Sequence, residues 1–209
     1  YYATEMAEAI TTSGQLSIRW IADKLNEFLN ETIGTEDYDY VVASDTDSVY
    51  LRLGNLVNRF LPQCDDTNKI ISFLDKSSEE IIQPFIDKQY KELSDLMNAY
   101  QNKMQMGREV IAERAVWTAK KRYAMNVWDS EGVRYDSPKL KIMGIETTRS
   151  STPAIVREKL KEAIKLILTT DESTIQRFVN EFRDEFFSEE PEIIAFPRSV
   201  SNLEKYFSS

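Results

Sequence analysis

The 209-residue chain carries a formal net charge of −9, is 42% hydrophobic, and contains one cysteine, no histidine, six glycines and six prolines. This composition excludes an internal disulfide framework, histidine acid–base chemistry, a Ser-His-Asp triad and nearly every zinc site, and it leaves oxygen ligands for any bound metal. It supplies apolar residues for one or two packed units, and no apolar run approaches the length of a membrane span.

The first residues, Tyr1 to Thr4, run straight into helical periodicity without an initiator methionine, which predicts a piece of a longer protein. Ile18, Ile21, Leu25, Phe28 and Leu29 recur at helical spacing, with Gly34 as a stop. Tyr40–Ala43 and Val49–Leu53 read as two short strands around Ser44-Asp45-Thr46-Asp47-Ser48, which places the carboxylates at a hairpin tip. Residues 69 to 104 read as mostly helical, with Ile81, Phe85, Ile86, Leu93, Leu96 and Met97 forming an apolar stripe. Pro84 either kinks that helix or begins a new one.

Residues 110 to 128 read as strand, Asp129–Gly132 as a turn, and Val133–Tyr135 as the returning partner strand. From Arg114 to Arg149 there are eight Lys or Arg against four Asp or Glu, a local +4 that leaves −13 for the remainder of the chain. An acidic total argues against nucleic-acid binding, but a local cationic strip can still grip phosphates. Thr152 then reads as an N-cap and Pro153 as a first helical residue, with Val156, Leu160, Ala163, Ile164 and Ile167 as the buried face. A second helix is predicted from about Thr174, buried through Ile175, Phe178, Val179, Phe182 and Phe186. The tail from Pro191 gives a weaker signal. These elements predict an α+β fold: an antiparallel sheet with packed helices, followed by a helical unit after residue 150.

Asp45 and Asp47 stand two residues apart at the hairpin tip, within reach of a common ion. Magnesium binds through one or two carboxylates together with substrate phosphates, so such a tip suits phosphoryl or nucleotidyl transfer. The plainer alternative is a surface turn, because Asp, Ser and Thr bond nearby backbone groups. In Thr118-Ala119-Lys120-Lys121-Arg122-Tyr123, strand alternation would put Lys120 and Arg122 on one face and Lys121 and Tyr123 on the other. Adjacent cations of this kind are matched by phosphate, although a solvated edge strand guarded by lysine has the same pattern. Tyr123 would meet a minor groove or fill the core.

Several segments resemble the B-family DNA polymerases, most closely the replicative enzymes of T-even-like phages. Ser44–Tyr50 is similar to their Y-G-D-T-D-S motif, with Ala43-Ser44 in place of Tyr-Gly. Trp117–Ala124 is similar to their K-K-R-Y motif, Lys141–Thr147 to the stretch before the thumb, and Ala9–Gln15 to the helix after the fingers. The resemblance implies a palm over residues 1–150 and the start of a truncated thumb over 151–209. It implies two Mg2+ ions, with Asp47 as the bridging carboxylate, Asp45 as its neighbour and Glu109 as a third acidic residue beside the metals. Primer contacts are implied for Thr46, Lys120, Lys121, Arg122, Tyr123 and Arg149. The implied partners are primer–template DNA, deoxynucleoside triphosphates, the N-terminal, exonuclease and fingers parts of the same chain, and a sliding clamp, all in a host-cell cytoplasm. The D-x-x-S-L-Y-P-S motif that supplies the other bridging carboxylate is not in this sequence, nor is the fingers motif for the triphosphate, so the fragment alone should not polymerise DNA. Two further readings stay open: a non-catalytic nucleic-acid-binding module of palm shape, and an unrelated acidic helical protein with a divalent-ion-binding turn.

Overall fold

The computed structural model describes residues 3–199 and 201. Its elements, in chain order, are helix α1 (Thr4–Ile33), strands β1 (Val41–Asp45) and β2 (Ser48–Leu51), helices α2 (Gly54–Phe60), α3 (Thr67–Ser77) and α4 (Gln83–Leu96), and strands β3 (Val110–Ala119), β4 (Arg122–Ser130) and β5 (Val133–Met143). Helices α5 (Ala154–Thr169), α6 (Glu172–Ser188) and the short α7 (Pro191–Ile194) follow. The α+β class is as the sequence predicts. The strands divide between two sheets, however: β1 and β2 pair antiparallel by themselves, and β3, β4 and β5 form a second sheet in that order. Two compact units result. The first runs to Ile111 and takes in Asp129–Arg134; the second comprises Ala112–Trp128 and the chain from Tyr135 onward.

In the first unit, α1 buries Ile21, Leu25, Leu29 and Ile33. Ile21 and Leu25 join Ile82, Ile86, Tyr90 and Leu93, with Val41 and Val49 of the hairpin packed alongside. Leu29 and Ile33 join Tyr40 and Leu56. Phe28 stacks on Phe85, with ring centroids 4.2 Å apart, and the Trp20 indole donates to the Gln89 carbonyl at 3.2 Å. Gly34 ends α1 in the left-handed conformation, φ 76°, a stop that a glycine makes without steric cost. A π-helical segment, Ser78–Ile82, joins α3 to α4, and Pro84 stands at the start of α4. Proline has no N–H to donate inside a helix, so a widened turn just before it relieves the mismatch. The helical stretch stops at Leu96, short of the predicted residue 104.

The expected single strand over 110–128 is two strands. Lys120 and Lys121 form the turn between β3 and β4, so they do not lie on alternating strand faces. Glu131 and Gly132, with φ of 52° and 83°, make the turn between β4 and β5, while Asp129 and Ser130, predicted in that turn, still belong to β4. In the second unit, Ala124, Ile145, Ile164 and Leu168 form the core, with Val116, Leu140, Ile142 and Leu160 against it. Helix α5 begins at Ala154 with Pro153 as its cap residue, and the Thr152 side chain makes no capping bond. Ile167 is exposed on α5 while Leu168 is buried. Helix α6 begins earlier than predicted, capped by Asp171, whose carboxylate accepts from the Thr174 amide at 2.8 Å. It has no fully buried residue, and Val179, expected inside, is exposed.

The first unit also encloses an ionic hub. Asp129 is 1% exposed. Its carboxylate meets Arg108 Nη1 at 2.6 Å and Arg134 Nε at 3.3 Å, and accepts from the Gly132 amide at 3.1 Å. Arg108 Nη2 also pairs with Asp75 at 2.6 Å. Burial by itself would raise the Asp129 carboxyl. The hydrogen bond and charge of Arg108, helped by Arg134 and Gly132, outweigh it and hold the group below the usual carboxylate range. Removing one partner of a buried pair strands the other, so Arg108→Met should cost about 3 kcal/mol in urea unfolding. Because the folded-state pKa is depressed, the stabilisation from Asp129 is complete above about pH 4 and is lost as pH falls further. Stability of the Asp129→Asn variant should therefore vary less below pH 4 than that of the parent, and an unchanged acid limb would exclude this assignment.

Candidate functional site

The acidic tip stands on a short ribbon. Asp45 pairs with Ser48, Ser44 with Val49 and Ala43 with Tyr50, and the register shifts between Val41 and Ala43. The ribbon is tied to α1 by two asparagines four residues apart. Asn26 Oδ1 accepts from the Tyr40 and Val41 amides at 2.8 and 3.0 Å. Asn30 donates to the Tyr38 carbonyl at 2.8 Å and accepts from the Tyr38 amide at 3.0 Å. These bonds satisfy the Tyr38, Tyr40 and Val41 amides and the Tyr38 carbonyl where the chain enters β1. Asn26 and Asn30 were not predicted; their signal is a pair of asparagines at helical i, i+4 spacing, each one residue past a buried leucine of α1.

At the tip, the Asp47 amide donates to the Asp45 carbonyl at 2.6 Å, closing a tight turn over Thr46. Thr46 has φ 54°, left-handed backbone that is rare for a β-branched residue and marks local strain. Its hydroxyl donates to the Asp45 carboxylate at 3.0 Å, and the Ser48 hydroxyl donates to the Asp45 carbonyl at 3.1 Å. Asp45 is half-buried, while Thr46 and Asp47 are exposed. The tip thus places two carboxylates one residue apart on a braced turn, a donor set suited to a hard divalent cation. Glu109 lies in the segment before β3, exposed, and its carbonyl accepts from the Glu131 amide at 2.7 Å. Among the described residues no group of three or more acidic or thiol side chains is placed to hold a metal ion, so Glu109 does not complete such a group with Asp45 and Asp47.

The basic residues have distinct situations. Lys120 and Lys121 are exposed at the β3–β4 turn, and Lys121 has φ 61°. Thr118 Oγ1 donates across the turn to the Arg122 carbonyl at 3.3 Å. Arg122 is half-buried and ion-paired to Glu146. Tyr123 is 7% exposed, with its ring centroid 6.0 Å from that of Trp117. Arg149 is exposed, one residue past a short 3-10 turn over Glu146–Thr148. The Glu146 carboxyl is held below its usual range by its own backbone N–H, with the charges of Arg122 and Arg149 adding to this. Four of the predicted contact residues therefore sit on one turn, two at its tip and two at its base.

The comparisons agree with the motif reading. The chain is 40% identical, over an alignment of 215 positions that takes in 99% of its length, to the DNA-directed DNA polymerase of Enterobacteria phage T4. It is 43% identical over the same length and share to the DNA-directed DNA polymerase of Escherichia phage RB69. It spans 24% of each of those proteins. No protein-family profile matches it. No helix among the described residues is long and apolar enough to cross a membrane.

The strain at Thr46 has a measurable consequence. Asparagine tolerates left-handed backbone and keeps a side-chain oxygen near the turn. Thr46→Asn should raise stability against urea by about 1 kcal/mol. A fall in stability would mean that the hydroxyl bond to Asp45 outweighs the strain.

Proposed function

We propose that this chain contributes the acidic catalytic tip and a DNA-gripping turn to a DNA-directed DNA polymerase that extends a primer 3′ end. The observation that carries this reading is the 40–43% identity, along 99% of the chain, to two phage enzymes bearing that name. Identity at that level over the whole chain also argues against an unrelated acidic protein with an ion-binding turn. The palm portion is assigned to residues 1–150 and the start of the thumb to 151–209.

Asp45 and Asp47 would supply oxygen ligands for magnesium, and their chemistry suits that ion: hard, anionic donors on a rigid tip, open to solvent on the Asp47 side. Magnesium supplies charge neutralisation on the triphosphate and activation of the attacking hydroxyl. Two such ions need more carboxylate ligands than this tip offers, so part of the set is assigned to the remaining three quarters of the polymerase. The chain alone is then inactive. Lys120 and Lys121 would hold backbone phosphates through charge, without reading sequence, as a replicative enzyme requires. Thr46 lies between the two aspartates and braces the Asp45 carboxylate. The work of the acidic tip is to stay in place while ligands and substrate exchange around it, which the α1 tether and the strained, closed turn both serve.

In the full-length polymerase, Asp47→Ala should lower primer extension on the order of a thousandfold while leaving the circular dichroism spectrum and primer–template affinity near the parent's. Extension at the parent rate would remove Asp47 from the chemistry.

A further inference from the structure

We infer that Arg122, held by Glu146, is a positioning residue: the pair clamps the Lys120–Lys121 turn in the shape that meets DNA phosphates, and Arg122 does not itself take a phosphate. This rests on the polymerase reading, because it assigns work within the same basic turn.

Two contacts join that turn to the segment that follows β5. The first is steric. Gly144 has φ 68°, and a Cβ built on it would lie 2.0 Å from the Lys121 carbonyl oxygen, so the two backbones meet where only glycine fits. The second is the Arg122–Glu146 ion pair, one residue further along the first segment and two along the other. Both sides are anchored close by, since Ala124 and Ile145 are buried in one core cluster. Lys121 holds a left-handed conformation that a lysine does not favour, and such a conformation persists only where the surroundings over-determine it. The Gly144 approach and the ion pair are those surroundings.

The state of Arg122 argues against direct phosphate binding. Its Nε is buried and makes no hydrogen bond, so the guanidinium cannot offer an external phosphate its full fork. A phosphate arriving at the remaining nitrogens would also meet the Glu146 carboxylate, whose pKa is lowered, first by its own backbone N–H and then by Arg122 and Arg149. The clamp further explains why the K-K-R-Y segment and the Gly144–Glu146 segment occur together in this sequence: each supplies half of it.

The test is binding of the full-length protein to a primer–template DNA duplex over a range of salt, with hydrogen exchange at the Lys120–Arg122 amides measured in the absence of DNA. For Glu146→Gln, exchange should quicken and affinity fall by about three- to tenfold through lost preorganisation, with the slope of log K against log salt unchanged. The swap Arg122→Glu with Glu146→Arg should restore both exchange protection and affinity. If the swap does not fold, Arg122→Gln should match Glu146→Gln in its losses, and combining the two should add nothing. Tighter binding and a steeper slope in Glu146→Gln would overturn the inference, since Glu146 would then merely mask a phosphate ligand. So would a flatter slope in the swap or in Arg122→Gln. As a control on the polymerase reading, Lys120→Ala should reduce the slope by about 0.9. Salt-independent binding by the parent protein would sink that reading, while exchange in the absence of DNA would still decide whether the clamp exists.

Discussion

The first unit depends on one apolar ridge. Ile21, Leu25, Leu29 and Ile33 recur every four residues along α1, and each is 6% exposed or less. Four residues overshoot one helical turn by about 40°, so a ridge built this way winds slowly around its helix. Its first half therefore faces α4, and its second half faces Tyr40 and α2. Burying each aliphatic side chain contributes about 2 kcal/mol, and together they fix the helix on which the acidic ribbon stands. A ribbon of two strands is not stable by itself in water. Packing of Val41, Val49 and Leu51 against these clusters gives it a hydrophobic floor, and Asn26 and Asn30 supply the polar half of the attachment.

That division explains what could be read from the sequence. The ridge is a periodic pattern, and the hairpin is two β-rich runs around a turn, so both are legible from local order. The asparagine tether is not, because its partners Tyr38, Tyr40 and Val41 lie 8 to 15 residues away and the bonds go to backbone, which carries no sequence signature. The motif resemblance picked out Asp45 and Asp47, and the structure gives them a closed turn and a braced carboxylate. It also implied Glu109 beside them; among the described residues Glu109 forms no metal-holding group with them, and convergence of side chains is a property of tertiary packing that a motif does not carry.

The misread β3–β4 turn has a more specific cause. Lysine pairs are not turn-formers, and nothing in Ala119-Lys120-Lys121-Arg122 supplies the glycine or asparagine expected at positive φ. The missing glycine is in another segment, at Gly144, where its lack of a side chain admits the Lys121 carbonyl. Similarly, Thr152-Pro153 has the composition of a helix start, but Pro153 holds extended backbone at ψ 144°, so the helix opens one residue later without the threonine as its cap. On α6 the aromatic stripe was rightly placed on one face, yet Phe178, Phe182 and Phe186 are only half-buried. Periodicity identifies the face that seeks cover; it does not say how much cover is provided.

Charge in the Arg114–Arg149 segment follows from the same packing. It holds eight cations and four acids. Arg122 and Glu146 pair with each other, as do Arg134 and Asp129. Each pair removes one charge of either sign, so the net +4 is untouched while the remainder becomes six cations against two acids. Internal pairing thus raises the purity of the surface charge without altering its sum. Phosphate responds to that local purity at short range, and exposed charges farther away than about 8 Å are screened at physiological salt. An acidic protein can for this reason hold a polyanion, provided its own carboxylates are spent on its own arginines.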